Sequence, residues 1–302
     1  MAEPLKTVRD LILVTADYLA DKGVDSARLN AERLLGDVLG LARIDLYLNH
    51  DRPLTPDELD RYRGLVKRRA AGEPLQALLG ETEFYGRGFK MAAGVFIPRP
   101  ETERLVETCL GLLTGGNSSL LSPLALEIGC GSGVIACTLA AEIPRLRVIA
   151  SDISGPAVEL GRVNARRLGV AARVEFLVGE LDEPFPADLR GRANLLVSNP
   201  PYIRSADVPG LPREVLAHDP VAALDGGPDG LRFYHELARR AAAWLFPGGW
   251  LAVEIGHDQP DQVSAICAAS GLAEIEVTRD YNDLPRVVTA RLPDVIPQQQ
   301  GD

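Results

Sequence analysis

The spacing of apolar residues changes once along this chain. Up to residue 75 it keeps the period of a helix. In "TVRDLILVTADYLADKG", Val8, Leu11, Ile12 and Leu19 fall on one face, Thr7 stands where a cap is needed and Gly23 where a helix stops. "SARLNAERLLGDVLG" repeats that logic from Ser26 to Gly40. "TPDELDRYRGLVKRRAAG" opens with Thr55, Pro56 and Glu58, a capping box with proline at the first helical position. Residues 1–75 are therefore expected to form a small all-α domain, and nothing in it carries chemistry. Over residues 76–98, aromatics set around glycines in "ETEFYGRGFKMAAGVFIP" predict a short hairpin linking two parts. A helix begun by Pro100, "PETERLVETCLGLL", and a loop, "TGGNSSLLSP", follow.

From residue 124 the period alternates. Short apolar runs ("LALEIG", "RVIASDI", "RVEFLVGE", "NLLVS", "WLAVEIG") are separated by helical patterns ("VIACTLAAEI", "GPAVELGRVNARRLG", "LRFYHELARRAAAWLF", "QVSAICAASG"), with a turn at "PGG". Strand–helix alternation predicts an α/β domain over 99–302, a doubly wound, mostly parallel sheet with helices on both faces. The last two runs, "EIEVTRDY" and "RVVTARL", are too close for a crossover, so they form an antiparallel hairpin. The tail "PDVIPQQQGD" is expected to be disordered.

Composition narrows the setting. Hydrophobic residues make up 46% of the 302 and charged ones 25%, as in ordinary globular proteins. No apolar run is long enough to span a bilayer. The start, "MAEPLKTVRD", lacks the basic end and apolar core of a signal peptide. A cytoplasmic protein without membrane contact is expected. Cys109, Cys130, Cys137 and Cys267 form no C-x-x-C pair and the four histidines no H-E-x-x-H, so the cysteines read as small buried hydrophobes and no metal is expected. Net charge is −10; residues 1–75 hold 12 Lys+Arg against 13 Asp+Glu and the remainder 20 against 29. Grip on nucleic acid calls for a basic surface, so the acidic larger part argues against a nucleic-acid partner. The basic run "RYRGLVKRR" (61–69) reads as a solvated helix face.

Two motifs carry chemistry. In "LEIGCGSGV", residues 126–134, Gly129, Gly131 and Gly133 let a strand turn sharply into a helix while the backbone approaches a ligand. Glu127 precedes the turn, and Asp152 ends the next strand, where a doubly wound sheet presents an acid to both hydroxyls of a ribose. A nicotinamide dinucleotide suits that outline, but its fingerprint is G-x-G-x-x-G and the spacing here is G-x-G-x-G. An acid before the loop also repels a pyrophosphate and suits a cationic ligand, an ammonium or a sulfonium.

The second motif is "VSNPPYI", residues 197–203, an apolar strand stopped by Asn199, Pro200, Pro201 and Tyr202 at the same sheet edge. Pro200 biases Asn199 to an extended conformation, and two fixed φ angles leave carbonyls without neighbouring N–H groups. The result is a stiff loop that displays acceptors. A planar –NH2 fits it: the Asn199 side-chain oxygen and the Pro200 carbonyl each take one N–H, and Tyr202 stacks on the plane. A delocalised nitrogen is a poor nucleophile, and two acceptors favour it as charge develops in the transition state. Positioning for in-line attack supplies much of the rest, and no low-pKa base is required.

The spacing E-x-G-x-G-x-G resembles motif I of the class I S-adenosylmethionine-dependent methyltransferases, whose Rossmann-like sheet also closes with an antiparallel hairpin. Asn-Pro-Pro-Tyr resembles the tetrapeptide of methyltransferases of exocyclic base amines and of glutamine amides. "EPLQALLGETEFYGRGFKMAAGVFIPRPETERLVE", "SDIS", "DPVAALDGGPDGLRFY" and "PGGWLAVEIG" extend the likeness over roughly residues 60 to 290, and together they resemble the release factor glutamine methyltransferases. The resemblance implies methyl transfer from S-adenosylmethionine to the side-chain nitrogen (N5) of the glutamine in the Gly-Gly-Gln motif of peptide chain release factors. It implies cofactor contacts at Gly129, Cys130, Gly131, Ser132 and Gly133, at Asp152 and at Asn199, with Glu127 alongside. It implies glutamine contacts and catalysis at Asn199, Pro200, Pro201 and Tyr202, with release factors as partners and residues 1–75 adding contacts to the factor's body. Arg99 and Glu101 of "IPRPETE" (97–103) either help hold the peptide or cap the following helix. The family usually has Ser-Asp after its third strand; here Gly179 and Glu180 stand there, followed by Leu181, so Glu180 is expected to accept the adenine amine and Leu181 to cover the ring. "HDPVAAL" replaces a more usual Tyr-Glu-Pro, which leaves His218 without a role. Two alternatives stay open: glutamine methylation of a ribosomal protein, and N6-methylation of adenine in DNA or RNA. The second requires a recognition surface to extract the base.

Overall fold

The computed structural model describes residues 6–115 and 122–294. The middle of the loop expected at "TGGNSSLLSP", residues 116–121, and the end of the tail, residues 295–302, lie outside the described residues. The chain divides into two compact units: one holds the residues up to Thr82 together with Pro212–His218, the other Glu83–Leu211 and the residues from Asp219 onward.

The first unit is helical: α1 (Val8–Asp21), α2 (Ala27–Leu39), α3 (Arg43–Leu48), α4 (Pro56–Ala70) and α5 (Leu75–Leu79). Thr7 and Asp10 close a capping box on α1, and Thr55 and Glu58 close another on α4, with Pro56 in its first turn. Ser26 precedes α2 without a side-chain cap bond, and the helix stops at Gly40, whose φ of 64° suits glycine. The predicted stripe is buried: Val8, Leu11, Ile12 and Leu19 pack with Leu34, Leu35, Leu46 and Tyr62. Helices α3 and α5 are too short to give a periodic signal, so the sequence reading passed over them.

In the second unit β1 (Glu81–Phe84) and β2 (Arg87–Lys90) form a two-stranded sheet, the first strand straddling the unit boundary. The expected hairpin is thus confined to residues 81–90, with α5 before it. Then come α6 (Thr102–Thr114), β3 (Leu124–Ile128), α7 (Val134–Glu142), β4 (Arg147–Asp152), α8 (Gly155–Arg167), β5 (Val174–Val178) and β6 (Ala193–Ser198). After α9 (Arg213–His218), which belongs to the helical unit, follow α10 (Arg232–Trp244), β7 (Leu245–Glu254), α11 (Pro260–Ala269), β8 (Ala273–Arg279) and β9 (Pro285–Arg291). Seven strands form one sheet in the order β5-β4-β3-β6-β7-β9-β8, parallel through β7, with β9 antiparallel to both its neighbours. One apolar core under this sheet takes Leu105, Val106 and Cys109 of α6, Ile135 of α7 and Val158 of α8; the other takes Leu237 and Trp244 of α10 and Val263 and Ile266 of α11. Chain order leaves β3 for β4 on one side and resumes with β6 on the other. The crevice beyond the carboxyl ends of β3 and β6 is therefore the topological switch point, where such sheets bind ligands.

Three expectations need correction. Helix α6 does not begin at Pro100: that residue sits in a turn, Glu101 is the N-cap and Thr102 the first helical residue. "PGG" is not a turn between α10 and a later strand. β7 starts at Leu245 directly after the helix and carries the three residues through a register irregularity opposite Ala193–Leu195. The run at 61–69 is not wholly solvated, because Arg69 is only 7% exposed. It bonds to Asn30 Oδ1 at 2.8 Å, the Glu73 carbonyl at 3.0 Å and Glu214 Oε2 at 3.0 Å, the last from α9.

The four cysteines are free and buried. Among the described residues no helix is long and apolar enough to cross a membrane.

Candidate active site

Strand β3 ends in the glycine loop because three successive alternate residues accept positive φ: 75° at Gly129, 52° at Gly131 and 77° at Gly133. Their uses differ. A Cβ on Gly129 or Gly131 would meet nothing within 4 Å, whereas one on Gly133 would stand 2.8 Å from the Phe176 ring and 3.0 Å from Gly161 Cα. The first two glycines thus keep an open face for a ligand, and the third lets α7 pack against α8 and β5. The loop is tied from within. Gly129 and Cys130 N–H both donate to the Ser151 carbonyl, at 2.8 and 3.0 Å, and Gly133 N–H donates to the Cys130 carbonyl at 2.8 Å. Gly131 N–H donates to Asp152 Oδ2 at 2.8 Å. A loop that spends four of its N–H groups internally is no cradle for a pyrophosphate.

Asp152, half-buried at the end of β4, also accepts the Ser154 N–H on Oδ1 at 2.9 Å. Each carboxylate oxygen so far uses one lone pair and keeps another for a ligand hydroxyl. An open face over Gly129 and Gly131 beside an acid with spare acceptors fits the adenosyl part of the S-adenosylmethionine that the sequence resemblance implies.

Other expected contacts are differently placed. Glu127 is fully buried and accepts the Ala136 N–H of α7 on Oε2 at 3.0 Å, while Oε1 is enclosed without a partner. Burial, with the Asp152 charge adding to it, pushes this carboxyl well above the usual carboxylate range, against the Ala136 bond that lowers it. Glu127 braces the loop from beneath through the Ala136 bond rather than lining its open face. Cys130 is a core residue, its side chain packed inward and its thiol pushed up by burial. Ser132 is 2% exposed, and its carbonyl accepts from Asn164 Nδ2 at 2.9 Å. Beyond β5, Glu180 is exposed and Leu181 half-buried. Leu181 has φ 51°, a left-handed conformation that costs a leucine about 1–2 kcal/mol. Its carbonyl is held by Ser151 Oγ at 2.6 Å. Gly179 N–H bonds the Asp152 carbonyl at 3.0 Å, which brings this segment to the edge of the same crevice.

Strand β6 delivers Asn199–Tyr202 to that crevice from the other side. Ser198 Oγ donates to the Ile128 carbonyl at 2.7 Å and fastens the two strand ends together. Asn199 is half-buried, and its Nδ2 donates to Thr102 Oγ1 at 3.1 Å. Pro200 is buried and Pro201 half-buried. Tyr202 packs on the core beside α10; burial first, then the Glu254 charge, pushes its phenol up to about 12. The loop "DGGPDG" lies against this tetrapeptide. A Cβ on Gly226 would stand 2.8 Å from the Pro201 carbonyl oxygen, and one on Gly230 would stand 2.5 Å from that of Tyr202. Gln259, 2% exposed, staples the assembly: its Nε2 donates to the Tyr202 and Gly230 carbonyls at 3.1 and 3.3 Å, while its Oε1 accepts the Gly256 N–H at 3.0 Å.

Arg99 pairs with buried Asp219, which also accepts the Ile97 N–H at 3.2 Å, and its guanidinium lies 5.1 Å from the Phe96 ring centre. Glu101 gives α6 no side-chain cap bond. Both are close enough to act on Tyr202, Glu101 raising its pKa and Arg99 lowering it. The structure therefore gathers Arg99, Glu101, Asn199, Pro200, Pro201 and Tyr202 on one side of the crevice, and Gly129, Gly131, Asp152, Glu180 and Leu181 on the other. The sequence reading missed Thr102, Asp219, Glu254 and Gln259. Glu254 had a signal: an acid closing the apolar run "WLAVE" at the carboxyl edge, the same placement that singled out Asp152.

Comparison with known proteins finds relatives over nearly the whole chain. A family model described as PrmC N-terminal domain matches residues 10–80, and one described as methyltransferase small domain matches residues 117–227. The release factor glutamine methyltransferase of Geobacter sulfurreducens is 44% identical over 286 residues, covering 95% of this chain and 97% of that protein. Its counterpart in Chlorobaculum tepidum is 41% identical over 286 residues (94% and 97%), and that of Moorella thermoacetica 44% over 277 residues (91% and 95%). Among solved structures, the hMettl16 catalytic domain in complex with the MAT2A 3'UTR hairpin 6 superimposes with a TM-score of 0.56. The match covers 77% of this chain and 83% of that one at 11% identity, a likeness of fold alone.

Proposed function

The chain belongs to the release factor glutamine methyltransferase family, and on that premise we propose that the crevice between β3 and β6 methylates the N5 nitrogen of the glutamine in the Gly-Gly-Gln motif of peptide chain release factors. S-adenosylmethionine is the donor and supplies an electrophilic methyl group on a sulfonium. Gly129 and Gly131 give it a close backbone surface, Asp152 receives its ribose hydroxyls, and Glu180 and Leu181 border its adenine. Asn199 Oδ1 and the Pro200 carbonyl each accept one N–H of the glutamine amide, Pro201 stiffens the loop and Tyr202 lies along the amide plane. These acceptors draw the nitrogen out of conjugation as charge builds on it, so they act mainly in the transition state. Arg99, held by Asp219, and Glu101 flank the entering peptide.

The observation that carries this reading is the Asn199 bond to Thr102 at the edge of the glycine loop's crevice: it turns the NH2 end of the amide into the protein and leaves the oxygen for a substrate. The other readings of the tetrapeptide, a ribosomal-protein glutamine or a nucleic-acid adenine, are not favoured, because relatives matching nearly the whole chain carry the release-factor name. The acidic large unit supports the absence of direct nucleic-acid contact. Release factors work in translation, so the reading puts this enzyme in the cytoplasm. Residues 1–75 are proposed to add contacts to the factor's body. Methyl transfer from labelled S-adenosylmethionine tests the reading: label should enter a purified release factor and not one whose motif glutamine is replaced. A short Gly-Gly-Gln peptide should be methylated with much lower kcat/KM than the intact factor. Label in the glutamine-replaced factor refutes the substrate, and equal kcat/KM refutes the role of the helical unit.

A further inference from the structure

Two proline rings stiffen the tetrapeptide from within, but neither has an N–H with which to anchor it. Its anchors come from its neighbours. At the entry, Ser198 Oγ donates to the Ile128 carbonyl at 2.7 Å. Just past the exit, Ile203 N–H donates to the Leu224 carbonyl at 3.0 Å, and the Ile203 carbonyl accepts the Gly226 N–H at 2.8 Å. At Tyr202 itself the anchor is a side chain: the carbonyl accepts from Gln259 Nε2 at 3.1 Å.

Gln259 is built into its place. It is 2% exposed at the N-cap of α11, 57 positions beyond Tyr202 in the chain. Both ends of its amide are engaged. Nε2 has two protons to give, and it faces the Tyr202 and Gly230 carbonyls. Oε1 accepts the Gly256 N–H and lies 3.3 Å from the Tyr234 hydroxyl. A flipped amide would set its oxygen against two carbonyls, so these partners fix the orientation. The socket excludes anything larger around it: a Cβ on Gly230 would stand 2.7 Å from Nε2, and one on Gly256 2.8 Å from Oε1. Three segments thus meet on one amide: the tetrapeptide after β6, the "DGGPDG" loop before α10 and the turn after β7.

We propose that Gln259 is a positioning residue for methyl transfer, its NH2 holding the Tyr202 carbonyl so that Asn199 Oδ1 and the Pro200 carbonyl meet the glutamine amide in one fixed geometry; this rests on the reading of the tetrapeptide given above. The partners of Gln259 are all protein groups, so it acts through Tyr202 and not on the substrate. Because the prolines make the loop stiff, a shift at its exit is passed along it to the two acceptors instead of being absorbed. Misplacement of reacting groups by about 1 Å costs about a hundredfold in rate even when its cause lies away from the chemistry.

The test is single-turnover methyl transfer to a Gly-Gly-Gln peptide at mildly alkaline pH, with saturating peptide and cofactor. Peptide and S-adenosylmethionine affinities and urea unfolding are measured beside it. Gln259→Met fills nearly the same space without donors or acceptor. Gln259→Glu, ionised, keeps an acceptor for Gly256 and loses both donors, and it decides the matter if the methionine variant does not fold. Both should transfer the methyl group about tenfold to a hundredfold more slowly, with cofactor affinity unchanged and peptide affinity moving far less than the rate. Val263→Ala is the control for lost stability, since its side chain lies in the core of the same helix. It should unfold at lower urea and keep the wild-type rate. No transfer by the wild type overturns the substrate reading and this role with it. Transfer by the wild type with equal rates in the Gln259 variants, or with Val263→Ala slowed as much as they are, overturns the positioning role alone.

Discussion

Gly131 donates its N–H to Asp152 Oδ2 at 2.8 Å, so the acid at the end of β4 shapes the glycine loop after β3 before any ligand arrives. Asp152→Ala removes that tie as well as two acceptors for ribose. Affinity for S-adenosylmethionine should fall by roughly 1–3 kcal/mol, the cost of losing hydrogen bonds to a charged group. Asp152→Asn, which keeps one acceptor, should lose less. Calorimetry on folded variants decides: unchanged affinity in Asp152→Ala removes this residue from the cofactor site.

Replacing Asn199 should separate rate from binding. Asn199→Ala should slow single-turnover transfer by about a hundredfold or more while peptide affinity moves far less. Asn199→Asp keeps the shape and the acceptors but cannot donate to Thr102, and it adds a second carboxylate near Glu254. It should also be much slower with peptide still bound. Equal rates in all three proteins would show that Asn199 does not position the nucleophile.

Gly230 tests how tightly the tetrapeptide is clasped. Its φ is 76°, and a Cβ would stand 2.5 Å from the Tyr202 carbonyl oxygen and 2.7 Å from Gln259 Nε2. Gly230→Ala should destabilise the protein by about 1–3 kcal/mol through overpacking and backbone strain, and should lower kcat in whatever fraction stays folded. Urea unfolding measures the first effect and single-turnover kinetics the second. A neutral variant would mean that the "DGGPDG" loop moves freely off Tyr202.

Glu254 also gives stability an unusual slope. Burial, outweighing Thr102, Arg286 and Asn199, raises its pKa from 4.5 to about 7. Between those values the folded protein keeps a proton that the unfolded chain has released. This contribution is therefore fully present below the unfolded value and lost as pH rises through the folded one, at roughly 1.4 kcal/mol per pH unit. Glu127 has the same sign but cancels in a comparison. The stability of wild type minus that of Glu254→Gln should fall over this window; a constant difference removes the buried-acid assignment.

What the sequence made legible was local. Glycine spacing, an acid closing the next strand and an Asn-Pro-Pro-Tyr stop are each contained in a few residues, and the sheet carries them to one edge by rule. Thr102 stands 97 positions from Asn199 and looks like any threonine starting a helix. Only the register of β6 with β7 and the placement of α6 reveal its use. Pro100 suggested a helix start because proline favours first turns, yet the chain makes one more turn before α6. Arg69 read as one more solvated cation because its partners, Asn30 and Glu214, lie far from it in sequence. The backbone of Leu181 has no signature in its type, since a leucine at φ 51° is what propensity argues against.

The place of Pro212–His218 in the helical unit bears on how this protein is made. A chain emerging from the ribosome folds its early domains first, yet the helices up to Thr82 form a unit that takes in a segment synthesised more than a hundred residues later. Until Glu214 emerges, Arg69 lacks its ionic partner and the first-made unit is incomplete. The early helices hold their whole apolar core within residues 8–79, and lack only this late segment and its ion pair to Arg69 while β1 to β6 are translated. The gene order of the two units does not match the order in which they can be finished, and neither unit can be cut out at a single point in the chain.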